Sequence, residues 1–231
     1  MNHSINNSYN DYYKKKDSPK HIYPVEFVVR TFLGTYPGLD MNRERYPSSR
    51  ILDLGYGDGR NFPLLHNLGF KISGVEISDS INSLAKAKFG EIGIPVELKR
   101  GHNSSIPYDD GYFDFVLACH SLYYLDSTTK TFADNLTEIA RVTTSGGILI
   151  TSFPKPSSYI FKDARATSKG HMEITNDPLG LRNGTIFRAF ETKEEIIHEF
   201  SPHFEKFSLG ACEDDFFGLQ QDIWIMACTR K

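Results

Sequence analysis

The residues best able to do chemistry sit at the ends of short apolar runs. Ile51-Leu52-Asp53-Leu54 runs straight into Gly55-Tyr56-Gly57-Asp58-Gly59, which places three alternating glycines directly after a carboxylate. Glycine lets a backbone turn sharply and come close to a ligand, so this stretch reads as a turn built for close approach. About twenty residues further on, Glu76 closes a second run, Gly74-Val75-Glu76, where a carboxylate can accept both hydroxyls of a ribose. His120 follows a later run, Phe113–Ala118. Its imidazole titrates near neutrality, which makes it the first choice for a general base, with a structural or ligand-contacting histidine as the other reading. Tyr123 and Tyr124 come next and read either as walls of an acceptor pocket or as half-buried packing. Farther along, Tyr159, His171, Glu173 and Arg182 are polar groups able to face an acceptor.

These side chains meet only if the runs form one sheet. From Arg50 onward, Ile51–Leu54, Phe70–Val75, Val96–Lys99, Phe113–Ala118 and Gly147–Ser152 alternate with segments of helical period over Arg60–Leu68, Asp79–Phe89 and Thr131–Val142. That alternation predicts βαβ units with right-handed crossovers. Thr192 with Glu195 reads as a capping box opening a helix over Lys193–Phe200. Two last runs, near Phe204–Leu209 and Ile223–Thr229, predict an antiparallel hairpin at the sheet edge. That edge either pairs with another copy or stays free, so no oligomeric state follows. The expected fold class is therefore α/β: a Rossmann-like three-layer sandwich with a mostly parallel seven-stranded sheet and an antiparallel C-terminal hairpin. Residues 1–49, with an apolar helix over Pro24–Leu33, stand outside the alternation as an N-terminal helical lid segment. Residues 50–231 form the main domain, with a polar insertion at about 154–188 on the substrate side.

Composition narrows the function classes. The 231 residues suit one domain, and 39% hydrophobic with 24% charged residues is ordinary globular usage. A formal charge of -3 argues against nucleic acid, which demands clustered Lys and Arg. The run Lys14–Lys16 beside Asp17 reads as a solvated flank. Three scattered cysteines, Cys119, Cys212 and Cys228, make neither a disulfide framework nor a zinc site, so no metal is expected and the compartment reads as reducing. No apolar stretch is long enough to span a bilayer, and the N-terminus lacks the apolar run of a signal peptide, which points to the cytoplasm and to no membrane partner.

The order Asp53-x-Gly55-x-Gly57-x-Gly59, an acidic end to the second run, and then Gly101-His102-Asn103-Ser104-Ser105-Ile106-Pro107-Tyr108-Asp109-Asp110-Gly111-Tyr112-Phe113-Asp114 resembles the class I S-adenosylmethionine-dependent methyltransferases, nearest their small-molecule, type 11-like branch. The match runs from about Arg50 to Ser152. The resemblance implies S-adenosylmethionine as cofactor and a small-molecule methyl acceptor, such as a sugar or metabolite methylated on oxygen or nitrogen. It implies that Gly55, Tyr56, Gly57 and Gly59 shape the loop under the methionine part, with Asp53 near the ammonium. Glu76 would hold the ribose, Ile77 would lie on the adenine face, and His102 and Asn103 would stand where the family reads the adenine edge, in place of its usual acidic and small residues. Cys119 would line the methionine part as a small packing residue. Tyr9, Tyr12 and Tyr13 resemble N-terminal aromatic lids of related enzymes.

Two rivals remain in view. A nicotinamide dehydrogenase would want G-x-G-x-x-G, one position longer than the G-x-G-x-G present here. A non-catalytic protein that binds S-adenosylmethionine or its demethylated product, as a sensor or silent partner, shares the same cradle.

Overall fold

The computed structural model describes residue 12 and residues 22–125 and 130–231. The alternating runs form strands β1 (Arg50–Leu54), β2 (Lys71–Glu76), β3 (Val96–Arg100) and β4 (Phe113–Ala118). Beyond them come β5 (Tyr124–Leu125), β6 (Thr143–Pro154), β7 (Arg165–Ser168), β8 (His171–Glu173), β9 (Ile186–Arg188), β10 (Phe204–Phe216) and β11 (Leu219–Arg230). The helices of the described core are α1 (Glu26–Leu33), α2 (Phe62–Asn67), α3 (Asp79–Glu91), α4 (Phe132–Val142) and α5 (Lys193–Phe200). The main sheet has seven strands in the order β10-β11-β6-β4-β1-β2-β3. Pairs among β6, β4, β1, β2 and β3 are parallel, and β11 is antiparallel to both β6 and β10. The expected Rossmann-like sandwich is the observed one.

Strand order reverses between β1 and β4, which lie side by side although two βαβ units separate them in sequence. In open parallel sheets the ligand crevice opens at that reversal, beyond the strands' C-terminal ends. The central strands β1 and β4 are buried on both faces and so read as continuous apolar runs. Period-two alternation then sorts their side chains. Leu52, Leu54, Val116 and Ala118 join one core with α4 and α5, while Ile51, Phe115 and Leu117 join the other with α1, α2 and α3. Asp53 falls on the second face, a parity that decides where its carboxylate goes.

Helix starts follow local chemistry. Thr131 and Asp134 make a reciprocal capping box on α4, and Ser78 caps α3 by accepting from the Ile81 N–H. On α5, Thr192 Oγ accepts from the Glu195 N–H at 3.2 Å. The Glu195 carboxylate turns instead to the Glu191 N–H at 2.9 Å, so only half of the expected box forms.

Three expectations are corrected in extent. The C-terminal hairpin runs 13 and 12 residues, about twice its apolar signal, because the outer part around Glu213, Asp214 and Asp215 is exposed and pairs through backbone alone. The segment expected as a polar insertion supplies three strands of a second, four-stranded sheet, order β5-β9-β8-β7, whose strands are too short to show a period. The helix assigned to a separate lid segment is part of the main core. Phe27, Val28 and Phe32 of α1 are buried, and the Phe32 ring meets those of Tyr46 and Phe70 edge-on at 5.6 and 5.8 Å.

Phe32→Ala is therefore expected to lower stability by about 3–5 kcal/mol, the usual cost of a large aromatic cavity. Urea unfolding checks this, and a loss below about 1 kcal/mol would put α1 back outside the core.

Candidate functional site

Three φ angles set the turn after β1: 70° at Gly55, 59° at Gly57 and 70° at Gly59, all in the left-handed region that a Cβ disfavours. Space closes as well. A Cβ on Gly55 would lie 2.6 Å from the Ser121 Cβ, and one on Gly59 would lie 2.4 Å from the Phe89 ring. The Gly55 N–H continues the β1–β2 ladder to the Val75 carbonyl at 2.8 Å, which brings the turn over the end of β2.

There Glu76 is held by backbone. Its Oε2 accepts from the Gly57 N–H at 3.1 Å and its Oε1 from the Ile77 N–H at 2.9 Å. Burial pushes its carboxyl pKa up, and these two N–H groups oppose that shift. A carboxylate oxygen has two acceptor sites, so each oxygen keeps one for a ligand.

The parity of β1 turns Asp53 away from this cleft. Its carboxylate is fully buried and does not line the cavity described below. One oxygen meets the Asn61 amide at 3.4 Å, and Oδ1 has no hydrogen-bond partner among the described residues. Burial, reinforced by Glu76 and Asp58 and opposed by the Asn61 amide, raises its pKa to about 7. The expected place beside a ligand's ammonium is thus corrected: Asp53 stands one layer behind Asn61 and Cys119, which do line the cavity. Tyr56 does line the cavity, but its ring turns inward. Its ring is buried against Phe62, its hydroxyl donates to Asn82 Oδ1 at 2.5 Å, and it fills the space that a Cβ on Gly74 would need.

The cavity holds about 610 Å³, within the range of small-molecule sites. Of the expected site residues, Gly55, Tyr56, Gly57, Glu76, Ile77, His102, Asn103, Cys119, His120, Tyr123 and Tyr124 line it. His171 does not. It opens β8, where its Nδ1 meets Ser168 Oγ and the Lys169 carbonyl. Glu173, on the same small sheet, pairs with Arg165. Arg182 and Tyr159 do line the cavity. So does Tyr12; Tyr9 and Tyr13 lie outside the described residues.

The arc after β4 is pinned by two amides that sequence reading did not pair. Asn103 Nδ2 lies 2.8 Å from the Ser121 carbonyl and 3.3 Å from those of Leu122 and Tyr124. Asn135 Nδ2 lies 3.3 and 3.1 Å from the carbonyls of Leu122 and Tyr124. The Asn103 side chain is therefore spent on scaffolding and is withdrawn from reading an adenine edge. His102 keeps its ring beside Ser104 Oγ at 3.2 Å. Tyr123 and Tyr124 stack at 5.0 Å, and the Phe187 ring lies 4.8 and 4.4 Å from them.

His120 has φ 55°, and its ring meets Phe27 edge-on at 5.5 Å. Burial, with the cations of Arg60 and Arg182, lowers its pKa to about 4, so the ring is neutral at pH 7. Ser152 Oγ accepts from the His120 backbone N–H at 3.1 Å and lies 3.0 Å from Nδ1. Among the described residues Nδ1 is the one acceptor recorded for the Ser152 hydroxyl proton, which assigns the ring proton to Nε2. His120 thus offers a donor, where the sequence suggested a base. Burial, with Asp53 next, pushes the Cys119 thiol well above its usual range, so it is no thiolate.

Comparison with known proteins gives a consistent picture. Residues 52–151 match a protein family described as a methyltransferase domain. The chain is 30% identical over 171 residues to a sarcosine/dimethylglycine N-methyltransferase of Halorhodospira halochloris, covering 71% of this chain and 60% of that enzyme. It spans about three-fifths of the length of the first curated relatives it matches. Among solved structures, a SAM-dependent methyltransferase of Methanosarcina mazei superposes with TM-score 0.64 at 18% identity, covering 83% of this chain and 99% of that one. One of Aquifex aeolicus gives 0.59 at 15% identity, covering 96% and 98%. These two likenesses establish the fold.

The Asp53 carboxyl has a testable signature. Its folded pKa of about 7 lies above the ordinary aspartate value of 3.8, so the protonated form favours folding. Its contribution is fully present below about pH 4 and is lost as pH rises through 7. Asp53→Asn should gain stability over the parent at pH 8 by at least about 1.4 kcal/mol relative to the difference at pH 4, one pKa unit's worth. Urea unfolding at both pH values checks this, and an equal difference at the two would refute the assignment.

Proposed function

Because residues 52–151 form a class I S-adenosylmethionine-dependent methyltransferase domain, we propose that the chain transfers the methyl group of S-adenosylmethionine to a small-molecule acceptor held beneath the β5-β9-β8-β7 sheet. S-adenosylmethionine is the cofactor of this domain family, and the cradle fits it. Glu76 presents two backbone-anchored oxygens with acceptor sites to spare, which suits a ribose diol. The left-handed glycines bare the backbone of the turn for close approach, and Ile77 and His102 offer an apolar face and a polar edge for the base. When bound, the cofactor supplies an electrophilic methyl carried on a sulfonium.

The observation that carries catalysis over mere binding is the shape of the cavity. It continues past Cys119 and His120 to Tyr159, Leu181, Arg182 and Phe187, room that a sensor of the cofactor alone would not need. Alignment of acceptor, methyl and leaving sulfur accounts for most of the rate in such a transfer. Tyr123, Tyr124 and Phe187 wall the acceptor and exclude water, and the His120 Nε2–H orients it. We place the protein in the cytoplasm, with no nucleic-acid partner, in keeping with its unpaired cysteines and acidic balance. No helix among the described residues is long and apolar enough to cross a membrane. The Halorhodospira relative is named for methylating amines; oxygen and nitrogen both stay within the proposal.

Glu76→Ala should weaken binding of S-adenosylhomocysteine by at least about 1 kcal/mol, measured by calorimetry. Unchanged affinity would count decisively against the cradle. For His120, the donor role predicts that His120→Gln keeps turnover within about threefold while His120→Ala loses about tenfold, the worth of one hydrogen bond. It also predicts no acidic limb near pH 6.5 that vanishes in either variant. A base role would abolish turnover equally in both.

A further inference from the structure

The acceptor end of the cavity is electrically balanced although it contains a buried arginine. Four charged side chains line the cavity among the described residues: Asp58, Arg60, Glu76 and Arg182. Asp58 and Arg60 pair with each other at 3.1 Å. Glu76 belongs to the cofactor end. Arg182 is matched from behind by Asp177, whose side chain is fully buried, at 2.8 Å.

Asp177 is saturated in that role. It accepts from Arg182 Nε and Nη2 and from the backbone N–H groups of Leu179, Leu181 and Arg182. Arg182 Nη2 also donates to the Tyr159 hydroxyl at 3.1 Å. Its Nη1 donates to no described residue. The guanidinium is thus held in place and already neutralised, with the two N–H bonds of Nη1 left over at a cavity that Tyr123, Tyr124 and Phe187 also line. A second carboxylate brought into this site would leave two anions sharing one cation away from water, and that costs more than the extra hydrogen bond returns. An uncharged group that accepts a hydrogen bond, such as an amide carbonyl, takes the spare N–H at no such cost. The half-buried rings of Tyr124 and Tyr159, which line the cavity, favour a ring, since aromatic faces contribute by stacking.

From this we infer that the methyl acceptor is an uncharged aromatic molecule bearing a hydrogen-bond acceptor that engages Arg182, and that the Arg182–Asp177 pair selects against its carboxylate counterparts. The inference deepens the transferase reading and rests on it for the word acceptor.

The test uses two pairs of probes that match in shape and differ in charge: nicotinamide against nicotinate, and 4-hydroxybenzamide against 4-hydroxybenzoate. Binding is measured by calorimetry on the full chain with and without S-adenosylhomocysteine, and methylation is followed as release of that product. Each amide should bind at least tenfold more tightly than its acid. Asp177→Asn frees the cation and should narrow that preference at least fivefold. Arg182→Gln, which leaves Asp177 uncompensated but keeps an amide donor, serves if Asp177→Asn does not fold, and should retain or widen the preference. Acids that bind as well as amides, or failure of all four probes to bind at 10 mM, would overturn the inference. Absence of S-adenosylhomocysteine binding would instead sink the transferase reading, while the amide-to-acid ratio on the unloaded protein still decides this one.

Discussion

A carboxylate buried at the tip of a strand must find its hydrogen bonds in the backbone around it, and Glu76 finds both of its own at a turn that only glycine can make. The Gly57 N–H reaches Oε2 because Gly55, Gly57 and Gly59 take left-handed φ values, and the turn lies over β2 because β1 and β2 run parallel in register. Remove the turn and a buried charge loses half of its compensation; remove the charge and the turn loses its reason to fold inward. The reversal of strand order between β1 and β4 then opens the cleft where those groups point. Sheet, turn and acid are therefore one design, with the helices supplying the two apolar layers that hold the sheet flat against them.

The acceptor side works by different physics. Its walls are rings, its cation is balanced from behind, and its histidine is kept neutral by burial and by two nearby arginines. A lining whose charges are paired leaves no stray charge beside the rings, which suits the proposed transfer, whose chief demand is alignment. The Arg182–Asp177 pair also stitches the loop between β8 and β9, so one ion pair both shapes the wall and sets its electrical character.

Much of this was legible in the residues. Buried parallel strands print themselves as apolar runs, and glycines after the first run with an acid after the second mark the cleft. The outer hairpin escaped because exposed strands paired through backbone carry no apolar period, and the small sheet because its strands run only two to four residues. Asp53 was misplaced by proximity in sequence. Alternation along β1 puts Asp53 with Ile51 on the face of α1, α2 and α3, a parity that the residue string contains but that the resemblance overrode. His120 looked like a base because its type titrates near neutrality, whereas its partner, Ser152, comes from β6, and no local pattern announces that meeting. Asn103 and Asn135 were invisible as a pair for the same reason: their shared targets lie on a third element.

Those two amides carry an evolutionary corollary. The carbonyls of residues 122 and 124 are claimed from β3's end and from α4 at once, and that of residue 121 from β3's end, so the arc that borders the cavity is clamped by groups remote from the proposed acceptor. Change can then accumulate in the neighbouring small sheet, trading one clientele for another, without disturbing the mount on which the chemistry stands.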